Sequence, residues 1–118
     1  DIKKIKENLK KYVAIFGNQI PIWRGKKISK RYIWSHFVNQ KVVNMYSKLE
    51  NRYFLHNAAA FYNKKFMLKN PFDDFIQTKE DRYWASKIVK KGKKYLYDPE
   101  LRVEHHYTPN GSTWKGIG

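Results

Sequence analysis

Three groups of side chains in this sequence have types and spacing suited to chemistry. The first is Glu80-Asp81, which follows Thr78-Lys79 and precedes an apolar helical run. A carboxylate in the first turn of a helix is rigidly held and favoured by the helix dipole. That suits a general base, which must sit within hydrogen-bond reach of the proton it takes. The same spacing also has a structural reading. Thr78 is a good N-cap, and Asp81 falls at the reciprocal N3 position of a capping box. The two readings are compatible.

The second group is His105-His106. Adjacent residues of a strand point to opposite faces, so at most one of the two serves a given metal. No HExxH motif and no Cys pair accompanies them, and His36 and His56 add no ligand spacing. The third group is Asp73-Asp74, placed to orient a hydroxyl-bearing ligand or to cap a turn. Trp84 and Trp114 are large enough to stack on a sugar ring, although Trp84 lies on an apolar stripe and reads first as core. No GxGxxG or P-loop sequence supplies a phosphate cradle.

The elements that must position these groups read as a mixture of helix and strand. Residues 1–12 predict an amphipathic helix with Ile2, Ile5, Leu9 and Tyr12 near one face and Asp1 as its cap. Residues 13–20 predict a strand interrupted by Gly17, with Pro21 opening a polar loop through Lys27. Residues 29–50 predict the longest helix, capped by Ser29, with a stripe of Trp34, Val38, Val42, Met45 and Leu49 widened by Ile33 and Phe37. Propensity leaves residues 53–62 open between strand and helix. Residues 63–68 read as a turn and a short helix, and 71–74 as a loop. A helix opened by Thr78 runs to Lys91 with Trp84, Ala85, Ile88 and Val89 as its apolar face. Gly92 is its left-handed stop. Residues 94–98 and 101–106 predict two strands separated by Pro99.

Composition bounds the remaining possibilities. The chain has 118 residues, 42% hydrophobic and 17% aromatic, with a net charge of +15. That length holds one domain, and the aromatic content argues against a disordered tail. Without cysteine there is no disulfide scaffold. No 18-residue apolar run spans a bilayer, and no signal-type apolar segment stands at the start. The excess charge attracts anions: nucleic acid, anionic lipid or a phosphorylated small molecule. Only five of the 25 basic residues are Arg. The rest are Lys, many of them in pairs, and Lys is a mobile point charge rather than a bidentate reader.

Taken in order, several segments resemble one family. They are Asn57-Ala58-Ala59-Ala60, Phe72-Asp73-Asp74, Glu80-Asp81, Trp84-Ala85, Gly92, Tyr97-Asp98-Pro99 and Val103-Glu104-His105. Together they look like the second half of a family 2 inverting glycosyltransferase. Upstream, Phe16-Gly17-Asn18-Gln19-Ile20-Pro21 is similar to that family's Tyr-Gly-Arg-Gln-x-Pro segment, with Asn18 in place of Arg. The resemblance covers residues from about 13 to 107 and implies an α/β fold of GT-A type, a small mixed sheet with flanking helices.

The resemblance also implies roles. Asp81 matches the catalytic base and Glu80 its acidic neighbour. Asn57, Asp73, Asp74 and Trp84 match positions lining the sugar and acceptor cleft. His105 matches a His that approaches the metal and diphosphate, and His106 matches nothing. The implied cofactor is Mn²⁺ or Mg²⁺. The implied partners are a nucleotide-sugar donor and a glycan or lipid-linked acceptor. The strand–helix array that binds the nucleotide and the Asp-x-Asp metal motif are not found in these residues. The expectation is therefore the acceptor-side part of a catalytic domain, inactive by itself and prone to self-association through an uncovered sheet. A cytoplasmic place, peripheral at the inner face of the cell membrane, goes with the basic surface. The alternative is a non-catalytic basic module that binds nucleic acid or an anionic glycan.

Overall fold

A computed structural model describes residues 2–23, 26–27, 36–73, 75 and 79–107. It is a small mixed α/β domain. Helix α1 spans Ile2–Lys11. Strand β1 follows at Ala14–Trp23 and turns back into the two-residue β2 at Lys26–Lys27. Three further short strands lie at Val42–Val43 (β3), Tyr46–Ser47 (β4) and Arg52–Tyr53 (β5). A 3₁₀ turn at Asn57–Ala59 leads into β6 at Ala60–Tyr62. Helices α2, Lys64–Lys69, and α3, Glu80–Lys90, precede the long β7 at Tyr95–Tyr107.

The parallel pair β1–β7 forms the centre of the main sheet. Antiparallel neighbours complete it: β6 and β2 on the β1 side, β3 on the β7 side. β4 and β5 form a separate hairpin. The core gathers where the sheet meets this hairpin and α3. There Ala14, Phe16, Phe54, Leu55, Trp84, Ala85, Ile88, Tyr95 and Tyr97 pack together. The apolar residues of α3 recur at helical spacing, so one face is buried and the lysines stay outside.

Several expectations hold. The first helix, the strand from 13, the short helix after Asn63 and the stop at Gly92 are all present, and Gly92 has φ of 79°. Asn63 caps α2, its side chain accepting from Phe66 N–H at 3.1 Å.

Other expectations are corrected. The helix over 29–50 does not form across its described part, 36–50, which contains β3, β4 and a turn. Val42 and Val43 are β-branched and pair with β7. Asn44 takes φ of 51°, and its side chain accepts from Tyr95 N–H at 2.9 Å, which leaves no helical path. Leu49, expected on the buried stripe, is 68% exposed in the hairpin turn. The positions Ser29, Ile33 and Trp34 lie outside the described residues. Pro21 continues β1 rather than opening a loop.

The two strands expected around Pro99 are one strand with a bulge. Gly17 pairs with Asp98, but Asn18 pairs with Arg102, so residues 99–101 bow out of the ladder. Pro99 is accommodated because it owes the ladder no N–H there. Gly17 is required because a Cβ at this position would run into the Leu101 carbonyl. The bulge is tied down twice. Asp98 Oδ1 accepts from Glu100 N–H at 3.0 Å, and Lys4 Nζ reaches Glu100 at 2.6 Å.

Candidate functional site

Helix α3 starts at Glu80, not at Thr78. Lys79 precedes it in the left-handed conformation, with φ of 59° and no side-chain cap. Asp81 is therefore the second residue of the helix rather than the third, and the capping-box geometry does not arise. Thr78 itself lies outside the described residues. Glu80 and Asp81 still occupy the first turn, where the dipole favours negative charge.

Asp81 is 6% exposed and fully used. Its Oδ2 accepts from Asn57 N–H at 3.0 Å. Its Oδ1 accepts from Arg82 N–H at 2.8 Å. Arg82 Nη1 donates to both oxygens, at 3.1 and 3.2 Å. Four contacts fill the roughly four lone-pair positions of a carboxylate.

The Arg82 guanidinium turns its other edge to Glu50, with Nε 3.2 Å from Oε1 and Nη2 3.3 Å from Oε2. Arg52 Nε also donates to Glu50 Oε1, at 3.0 Å. Burial opposes the charge on Arg82, but Asp81 and Glu50 outweigh it and raise its pKa. Burial likewise pushes Glu50 up, yet hydrogen bonds and charge from Arg82 and Arg52 carry it below the usual carboxylate value. Phe54 forms the floor. Its ring has the guanidinium carbon of Arg82 at 4.5 Å and the His36 imidazole stacked at 3.9 Å. His36 is fixed in turn by a 2.6 Å hydrogen bond between Nε2 and Ser47 Oγ.

Asn57 is exposed and bridges this network to Tyr62. Tyr62 Oη donates to Asn57 Oδ1 at 2.7 Å. Burial, with the charges of Asp81 and Glu80, pushes the Tyr62 phenol well above its ordinary value, so it stays a donor. The Tyr62 ring rests edge-on against Trp84, with centroids 5.3 Å apart.

The structure thus brings together four of the side chains or segments singled out above: Asn57, Glu80, Asp81 and Trp84. Trp84 joins from the core side. It is 2% exposed, donates Nε1–H to Asn70 O at 2.6 Å and touches Tyr62, Phe66 and Phe72. It supports the site and presents no ring face to a ligand. Asp73 is exposed, its Oδ1 accepting from Phe75 N–H at 2.9 Å in a local turn. Asp74 and Trp114 lie outside the described residues, as does the side chain of His105. The His105 backbone is near the C-terminal end of β7, opposite Pro21. Among the described residues no three His, Cys, Asp or Glu side chains converge on a cation position.

Tyr62, Arg82 and Glu50 are site residues that sequence reasoning passed over. Arg82 carried one signal, its place directly after the acid pair. Glu50 and Tyr62 carried none, since their proximity is made only by the hairpin and β6.

No family model matches the chain, and no curated protein or solved structure is significantly similar to it.

Proposed function

We propose that these residues form the acceptor side of an inverting sugar-transfer site, with Asp81 as the general base. One observation carries this reading: Asn57 and Asp81, 24 positions apart and both assigned to one cleft by the resemblance, are joined by a 3.0 Å hydrogen bond. An acceptor hydroxyl docks by taking the place of Arg82 Nη1 on the carboxylate, while Arg82 keeps its two contacts to Glu50. Asp81 then removes the hydroxyl proton as the oxygen attacks the anomeric carbon in line, the nucleotide leaves, and the configuration inverts. Asn57 Oδ1 is held by Tyr62, and the exposed side chain keeps its amide nitrogen as the donor to a second hydroxyl. Arg82 and Glu50 are positioning residues.

In this reading the nucleotide-sugar donor, and the Mn²⁺ or Mg²⁺ that accompanies it in the family the sequence resembles, are held chiefly by residues beyond those described. The acceptor is a glycan or a lipid-linked sugar.

The test is sugar transfer by the polypeptide carrying these residues, assayed with a panel of nucleotide-sugars. Asp81→Asn is expected to lower turnover by about 10²–10⁴-fold and leave donor affinity unchanged. Unchanged turnover overturns the assignment. The second reading, a basic module for nucleic acid or anionic glycan, rests on the gathering of lysines at the end of α3 remote from Asp81. It is the one supported if Asp81→Asn is silent while oligonucleotide or heparin binding follows those lysines.

A further inference from the structure

We propose that the face built from the end of α1, from α2 and from the turn between α3 and β7 docks on an anionic lipid surface. A groove of about 520 Å³ lies there, and six of its lining residues are Lys10, Lys11, Lys65, Lys69, Lys93 and Lys94. None of its lining residues is acidic. Among the described residues none of the six lysines is ion-paired. A second hollow shares Lys10 and Lys65 with it and adds Lys6 and Lys64. Separate segments of chain supply this charge, so the cluster is a product of folding and not of one basic run.

The floor is rigid. Val13 N–H donates to Lys94 O at 2.9 Å and Asn63 N–H to Val13 O at 2.9 Å, which closes the three segments on one another. Asn63 Nδ2 adds a bond to Leu9 O at 3.0 Å and holds the end of α1 in place.

The chemistry of the face favours lipid over nucleic acid. It contains lysine and no arginine, the pattern of diffuse attraction to a charged surface rather than bidentate readout. Leu68 stands 74% exposed one helical turn from Lys64 and Lys65 and next to Lys69, an apolar tip set among ammonium groups. Lysine stems with an apolar residue between them suit a headgroup region. Of the aromatic residues in the groove, Phe66 is turned edge-on to Trp84 and offers no free ring face for base stacking. The face lies a helix length, about 15 Å, from Asp81, so a docked membrane leaves the Asp81 end uncovered. This inference does not depend on sugar transfer.

The experiment is co-sedimentation with vesicles of about three parts phosphatidylcholine to one of phosphatidylserine, against pure phosphatidylcholine, at physiological ionic strength. Binding is expected only to the anionic vesicles. The triple variant Lys65→Gln/Lys69→Gln/Lys94→Gln is expected to lose about 100-fold in partition, at roughly fivefold per lysine near the surface. A control with the same net charge, Lys41→Gln/Lys48→Gln/Lys87→Gln, is expected to lose less than about fivefold. Leu68→Gln is expected to weaken vesicle binding by up to about tenfold and to leave binding of a short oligonucleotide unchanged. All substituted residues are exposed, so the folded state survives, as unchanged thermal melting will verify. Equal losses in the two triple variants, or no preference for anionic vesicles, overturn the proposal. So does tight oligonucleotide binding that vanishes in the groove variant while vesicle binding persists.

Discussion

Asn57 and Asp81, 24 positions apart, are joined through the backbone N–H of one and the carboxylate of the other at 3.0 Å. The bond links the 3₁₀ turn that packs against β1 and β7 to the start of α3. The carboxylate is therefore held from both sides, by its own helix and by the turn beside the sheet. Removing it leaves Arg82 buried with only Glu50 as counter-charge. Asp81→Ala is expected to destabilise the fold by about 3–5 kcal/mol, and Asp81→Asn, which keeps an acceptor for Asn57, by about 1–2 kcal/mol. Urea unfolding of the two variants checks this, and equal losses would show that the Asn57 contact is idle.

Glu50 gives the fold a defined acid sensitivity. Its folded pKa lies below the ordinary 4.5, so the folded state binds this proton less readily than the unfolded chain. The resulting stability is fully present above pH 4.5 and is lost as the pH falls below 4.5 through the folded value. Melting temperature measured from pH 7 down to pH 3 is expected to fall more steeply in the wild type than in Glu50→Gln, about 1–2 kcal/mol less stable at neutral pH. Parallel curves for the two proteins would count against this account.

At Gly17 the limit is steric, since the nearby Leu101 backbone occupies the space of a side chain. Gly17→Ala is expected to cost about 3 kcal/mol or more, at the upper end of overpacking effects, because backbone rather than a flexible side chain must yield. Denaturant titration reads the loss directly, and an unaltered midpoint would mean the bulge relaxes freely.

Tyr62→Phe removes the 2.7 Å bond to Asn57 and nothing else. A stability loss of about 1 kcal/mol is expected. Because the Tyr62 phenol is shifted far upward, the variant is expected to show an unchanged absorbance rise below about pH 11. Tyr97, pushed up to about 12 by burial and by Asp98, titrates only beyond that range. A smaller rise in the variant would place the Tyr62 hydroxyl in water.

Much of this architecture was legible from local pattern. The apolar spacing of α3, the stop at Gly92 and the short helix after Asn63 are decided within a few residues of themselves, and all three were readable. The segment 36–53 was not, because its apolar residues fall at helical spacing while their partners lie elsewhere in the chain. Met45 is buried because Tyr95 Oη reaches the Met45 and Phe54 carbonyls at 3.0 and 2.8 Å, some 50 and 41 residues away. Around the buried carboxylate, Asp81 was singled out with Glu80 from sequence, but Arg82 was passed over. Its importance depends on Glu50, brought close only by the hairpin. A signal confined to adjacent residues cannot carry a pairing that the fold creates.

The bulge in β7 has an effect on which way the chain faces. β1 advances one residue between two pairs while β7 advances four. Three surplus residues are an odd number, so the positions from Arg102 onward are turned over relative to an unbroken strand. Deleting one of them would leave the ladder either to stretch the remaining two or to slide by one place and invert everything in the strand from Arg102 onward. The small knot of Pro99, Glu100 and Leu101 acts as a parity switch, and it sets which set of alternate residues the end of this strand shows to each side of the sheet.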